Sequence, residues 1–153
     1  MQIRPFRESD RAAVLSLWEA CGLTRPWNPP EGDLDRALQG PTSGVLVAED
    51  SEGSVRGSVM VGDDGHRGWV YYLSVEPALQ KSGLGRELMV AAEDWLKARG
   101  ARKLLLMVRN SNDAVLGFYD RLGYGREDTA VLSRWLVDDP MGGPMGGPMG
   151  GKA

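Results

Sequence analysis

The middle of the chain constrains the fold more than any other part. Residues 69–75, Trp-Val-Tyr-Tyr-Leu-Ser-Val, are dense in aromatic and β-branched side chains and read as a strand. A loop with Gly83 and Gly85 follows, and then a helical pattern over residues 84–99. Leu84, Leu88, Ala91, Ala92, Trp95 and Leu96 fall on one face of that helix, and Gly100 stops it. The run 103–108, mostly Leu-Leu-Leu-Met-Val, reads as a buried strand. Strand, helix and strand in this order form a crossover, so the two strands run parallel in one sheet.

The rest of the chain fits around that unit. A short strand over 3–7 leads to Ser9 as N-cap and an amphipathic helix over 12–20 that ends near Gly22. A Pro-rich loop, 23–30, precedes a short helix over 33–39, stopped by Gly40-Pro41. Strands over 45–48 and 54–61 flank the turn 50–53, and a second turn at 63–66 leads into 69–75, giving a three-stranded antiparallel meander. A last helix covers 113–122 and a final strand 129–135. The expected class is α/β of the α+β kind, a mixed and mainly antiparallel sheet flanked by helices. One domain spans residues 1–139. Residues 140–153 carry Pro-Met-Gly-Gly three times over and are expected to be a disordered tail. Its period of four is not the collagen period of three, and glycine and proline together build no core.

Composition closes off several kinds of chemistry. At 153 residues the chain suits one domain and not two. A net charge of −3 argues against broad nucleic-acid binding, which needs a basic face. No apolar run approaches the roughly 20 residues of a membrane span, and the first residues lack the apolar core of a signal peptide. One cysteine, Cys21, makes no internal disulfide or zinc cluster, and one histidine, His66, makes no multi-histidine metal centre. The expectation is a cytoplasmic monomer or homodimer with no metal, no nucleic-acid partner and no membrane contact.

Chemistry concentrates in residues 75–86, where a strand runs straight into a helix N-terminus. Glycines there allow close approach of an anion to the backbone, the first-turn N–H groups lack partners, and Lys81 and Arg86 add positive charge. This is the make-up of a pyrophosphate cradle, and equally of a tight turn. A dinucleotide fingerprint wants a third glycine where Leu88 stands and an acid where Val108-Arg109 close the next strand. A Walker loop wants Gly-Lys-Ser/Thr, which is absent.

A second block, residues 110–124, completes a resemblance. Gln80-x-x-Gly83-x-Gly85, preceded by Val75-x-Pro77, resembles the acetyl-CoA pyrophosphate motif of the GNAT acetyltransferase superfamily. Asn112 with Ala114, through Phe118-Tyr119 to Leu122-Gly123-Tyr124, resembles its second cofactor motif. The blocks stand in the family's order, and the element pattern matches over residues 1–139. The motif half is similar to the ribosomal-protein N-terminal alanine acetyltransferases. The front half, with Leu17-Trp18-Glu19, Arg25-Pro26-Trp27-Asn28, Asp33 and Asp64-Gly65-His66, is similar to the bacterial YpeA-type acetyltransferases.

That resemblance implies an acetyl-CoA-dependent N-acetyltransferase that acts on a primary amine of a small molecule or a peptide N-terminus. It implies that strands 69–75 and 103–108 splay, with cofactor held by the backbones of Leu73, Ser74 and Val75, by Gln80, Lys81, Ser82, Gly83, Leu84, Gly85 and Arg86 around the diphosphate, and by Asn112 and Tyr119. Tyr119 stands where relatives place a general acid beside the sulfur; the alternative is simple packing against Phe118 and Leu122. Methionine at 107 replaces the glutamate of some relatives, so the proton goes to another group, with Glu76, His66 and Tyr72 as candidates, to an ordered water chain, or to bulk solvent. Since Tyr71 and Tyr72 alternate along a strand, one is expected to face the core and the other the cleft. The acceptor side falls to Arg25, Trp27, Asn28 and Tyr72, with Arg25 favouring an acceptor that bears a carboxylate. The lost glutamate also leaves a second reading, a catalytically weak or inactive CoA-binding sensor or scaffold.

Overall fold

The computed structural model describes residues 1–138, so the Pro-Met-Gly-Gly tail expected over 140–153 lies outside the described residues. The chain forms two compact units, Met1–Leu106 and Met107–Ala153, the second described as far as Asp138.

The first unit is built on a sheet of five strands in sequence order. β1 (Gln2–Pro5), β2 (Ser43–Glu49), β3 (Val55–Asp63) and β4 (Gly68–Val75) pair antiparallel, and β5 (Leu104–Leu105) joins β4 in parallel. Helices α1 (Arg11–Ala20) and α2 (Pro30–Gln39) cover one face, and α3 (Leu84–Lys97) lies across β2, β3 and β4. Strand alternation sorts the core. Val45 and Val47 join Val14, Trp18, Leu34, Ala37 and Met60 under α1 and α2. The intervening positions turn towards α3, where a Cβ on Gly44 would reach Trp95 and one on Gly57 would lie 2.9 Å from Leu88. Glycine at 68 serves the same close approach, since a Cβ there would sit 2.5 Å from Leu96.

The expected parallel strand over 103–108 shrinks to two residues, whose register is Gly68↔Leu104 and Trp69↔Leu105. Beyond Trp69 the outer edge of β4 has no β-partner among the described residues. The β3–β4 register shifts between Ser58 and Met60, where two β4 residues oppose one on β3. Tyr72 sits in that bulge with φ +52°. The strict alternation expected for Tyr71 and Tyr72 therefore fails: Tyr71 pairs with Met60, and Tyr72 stacks on Trp18 on the same sheet face.

At the start of the chain, Ser9 is not the N-cap. Residues Glu8–Asp10 make one 3-10 turn, and the carboxylate of Asp10 accepts the N–H of Arg7 at 2.8 Å. The same carboxylate takes two bonds from Arg4, at 2.7 and 3.0 Å, while Arg4 makes two more to Glu49. This buried fork ties β1 to the start of α1 and to the end of β2.

In the second unit, α4 (Asp113–Arg121) begins at Asn112, whose Oδ1 accepts the N–H of Val115 at 3.3 Å. The strand expected over 129–135 does not form, and Val131 and Leu132 stand largely exposed. Its alternation suits a strand, but a strand needs a ladder partner, and this segment has none among the described residues.

Candidate active site

The loop ahead of α3 is shaped by two left-handed residues. Lys81 has φ +64° and Gly83 +96°, and Gly83 is the N-cap. A glycine N-cap brings no side chain, and no side chain caps this helix. The N–H of Glu87 donates to the carbonyl of Gly83, which leaves those of the first turn aimed outward. A Cβ built on Gly83 would meet nothing within 4 Å, so the space over the helix end is open. Lys81, Ser82 and Arg86 are exposed around it, whereas Leu84 turns inward and is buried. Gln80 folds back, its amide donating to the carbonyl of Val75 at 3.3 Å.

That carbonyl belongs to the free edge of β4. The N–H of Glu76 donates to the carbonyl of Arg56 on β3, so in an antiparallel ladder the residue before it, Val75, turns its N–H and C=O the other way. The Val75 carbonyl is taken by Gln80 and by the thiol of Cys21 at 3.2 Å, and its N–H points out over the unpaired edge. Cys21 is thereby a structural thiol, which burial makes harder to ionise.

Further back along β4, at Tyr71 and Tyr72, a cleft of about 640 Å³ lies between the sheet and α2. Asn28, Asp33, Arg36, Ser43, Tyr71 and Tyr72 supply its polar lining, and Leu23, Met60 and Val61 are among its apolar walls. The Tyr72 hydroxyl donates to Asp33 Oδ2 at 2.7 Å, and its ring stacks on Trp18 with centroids 4.0 Å apart. Below them Trp18 Nε1–H donates to Ser58 Oγ at 3.0 Å, and Ser58 bonds Ser74 at 2.8 Å. Burial, reinforced by the neighbouring carboxylate, drives the Tyr72 hydroxyl well above the ordinary phenol range, so Tyr72 is a donor and takes no proton at neutral pH.

The other residues singled out from sequence lie apart. Glu76 is engaged by Arg56 in an ion pair at 2.9 Å, and Arg56 also holds Asp50. His66 is exposed at the tip of the β3–β4 turn, its backbone N–H bonded to Asp64, and is not among the cleft residues. Arg25 and Trp27 are also absent from the lining. Arg25 bonds the carbonyls of Gly22 and Thr24, organising the loop that carries Asn28 to the cleft. Asp33, Arg36 and Tyr71 were not proposed from sequence as site residues. The spacing of Asp33, Arg36 and Ala37 on one face of a short helix was the available signal. In the second unit, Tyr119 is buried, edge-on to Phe118 and Tyr124, and burial pushes its hydroxyl up to about 12. Asn112 is spent on capping α4.

Comparison with known proteins bears on this arrangement. Residues 12–124 match the model of the acetyltransferase (GNAT) family. The chain is 48% identical over 139 residues to Acetyltransferase YE1169 of Yersinia enterocolitica, covering 91% of this chain and 98% of that one. Acetyltransferase ECA0875 of Pectobacterium atrosepticum matches to the same extent. Among solved structures, the aminoglycoside 6'-N-acetyltransferase AAC(6')-Iy in complex with CoA superposes with a TM-score of 0.75 at 16% identity, over 89% of this chain and 95% of that one. AAC(6')-IG of Acinetobacter haemolyticus gives 0.74 at 18% identity, over 90% of this chain and all of that one.

Proposed function

The chain belongs to the GNAT acetyltransferase family, and from that premise we propose that it transfers acetyl from acetyl-CoA to a primary amine of a small molecule or a peptide N-terminus. One observation carries the reading: an uncapped helix N-terminus, open above Gly83, adjoins a strand edge whose Val75 N–H faces outward. Unpaired N–H groups at a helix end suit a diphosphate, and an unpaired strand edge suits an amide-bearing chain such as pantetheine. The residues present therefore fit the cofactor. Gln80 to Arg86 would hold the diphosphate, and the backbones of Leu73 and Val75 would hold the pantetheine. The YpeA-type branch is the assignment we favour, on the front-half motifs around Trp18, Asn28 and Asp33.

When bound, acetyl-CoA supplies the acetyl group as a thioester open to direct attack by a neutral amine. On its place in the family's second cofactor motif we assign Tyr119 as the general acid for the departing thiolate, and burial keeps its hydroxyl protonated up to about 12. Tyr72 positions Asp33 in the acceptor cleft and carries no proton away. Glu76, held by Arg56, serves the loop rather than the amine.

Calorimetric titration of acetyl-CoA into the full chain tests the reading, alongside thiol release across a panel of amines. Saturable heat with amine-dependent release is the expected result. Absence of heat overturns it, and heat without release for any amine selects the sensor or scaffold reading, which the methionine at 107 favours.

A further inference from the structure

The cleft's charge is the feature that the family assignment leaves unread. Among the described residues lining it, Asp33 and Arg36 alone are charged, one of each sign. They stand at i and i+3 on α2, on one face of that helix, with Cβ atoms roughly 5–6 Å apart. Yet among the described residues they form no ion pair with each other. Asp33 lines the cleft half-buried, with one oxygen taken by Tyr72 and no side-chain partner on the other, and Arg36 stands exposed at the cleft and donates to no protein acceptor among the described residues. A carboxylate and a guanidinium side by side, each with unused capacity, match a ligand that carries the opposite pair of charges.

Resting on the amine-acetyltransferase reading, we propose that the acceptor is a small amine that also bears a carboxylate, with Asp33 taking the ammonium and Arg36 the carboxylate. Leu23, Met60 and Val61 offer apolar wall for the remainder of such a molecule. The ammonium passes one proton to the free oxygen of Asp33. The nitrogen lone pair then forms the N–C bond to the acetyl carbonyl, and the C–S bond breaks with its electrons on sulfur. The thiolate takes a proton from the general acid, the second proton shed by nitrogen restores that acid through solvent, and Asp33 releases its own proton to solvent. A polycation such as an aminoglycoside meets one carboxylate here and is opposed by Arg36, so the charge of the cleft separates this chain from the aminoglycoside enzymes whose fold it shares. The positive charge that sequence placed on Arg25 is supplied by Arg36 instead.

The test uses the full chain saturated with acetyl-CoA. Each of the common amino acids is compared with its own carboxamide, with putrescine and kanamycin as amines that lack a carboxylate. At least one free acid is expected to exceed its carboxamide about tenfold or more in kcat/KM, the effect of one charge-assisted hydrogen bond. Arg36→Gln should bring that ratio to within about twofold of unity, through KM, with acetyl-CoA affinity unchanged. Equal rates for acid and carboxamide, a preference for putrescine or kanamycin, or a ratio unmoved by Arg36→Gln each overturn the inference. So does a panel in which no amino acid reacts or shifts the Arg36 side-chain NMR signals of the CoA-saturated chain. Normal acetyl-CoA heat with any of these outcomes sinks this inference alone, whereas no heat sinks the wider reading with it.

Discussion

Replacing Ser58 with alanine is predicted to cost far more than the loss of one small hydroxyl on a strand. Trp18 and Ser58 are wholly buried and Ser74 is 2% exposed, so no water replaces a lost partner. The 2.8 Å bond joins the two hydroxyls with either as donor, Ser74 also reaches the carbonyl of Ser58 at 3.4 Å, and Ser58 Oγ is the acceptor for Trp18. Ser58→Ala therefore orphans the indole N–H outright, while Ser74 keeps its own donation. A buried donor left unsatisfied costs about 1–3 kcal/mol, so about 2 kcal/mol is expected. For a chain of this size that lowers Tm by on the order of 6 °C. In a Trp18→Phe background the N–H is already gone, and the same serine change should cost less than half as much. Urea unfolding of the four proteins measures the coupling directly. The reasoning fails if Ser58→Ala is within about 0.5 kcal/mol of wild type, or if its cost is the same in both backgrounds.

Two further outcomes follow from the same kind of argument. Tyr119→Phe should lower kcat by about a hundredfold, in the range of general acid catalysis, with acetyl-CoA affinity within about twofold; unchanged turnover removes Tyr119 from the chemistry. The wild-type alkaline limb should show no break from this hydroxyl below about pH 10, because its ionisation is displaced to about 12. Arg4 holds the Asp10 carboxyl below the usual carboxylate range, so the folded state binds its proton less readily than the unfolded state. That stability is complete above about pH 4, the unfolded value, and drains away as pH falls through the lower folded value. Asp10→Asn should cost about 3 kcal/mol at pH 7 by leaving Arg4 short of a buried partner, and should flatten the acid slope seen in urea titrations below about pH 4. An unaltered slope would show that the pair does not govern acid stability.

Sequence periodicity carried the architecture wherever the pattern was long or its partners adjacent. The helix over 84–99 and the meander of β2, β3 and β4 were legible because each buries one face at its own period. The strand over 129–135 was misread for the converse reason: alternation records what a segment can do, and pairing depends on an edge elsewhere in the chain. The bulge at Tyr72 was invisible too, since a tyrosine at positive φ has no sequence mark and is held by the Trp18 stack and the Asp33 bond. Within the candidate site, the open N-terminus of α3 announced itself through local glycine spacing. The cleft's charges did not, because Arg36 gains meaning only when α2 is laid beside β3 and β4. Arg25, the more conspicuous cation, is absorbed by its own loop.

The left-handed turn at Tyr72 makes the shape of the cleft hostage to a single backbone kink. A non-glycine residue held there stores roughly 1–3 kcal/mol. Were the strand to relax into an even pleat, every residue on one side of the kink would exchange faces with its neighbour. Both tyrosines could then no longer front the same hollow. Variation that reshapes the cleft is thus freer at Leu23, Ser43 or Arg36, whose side chains can change without unwinding the strand that frames them.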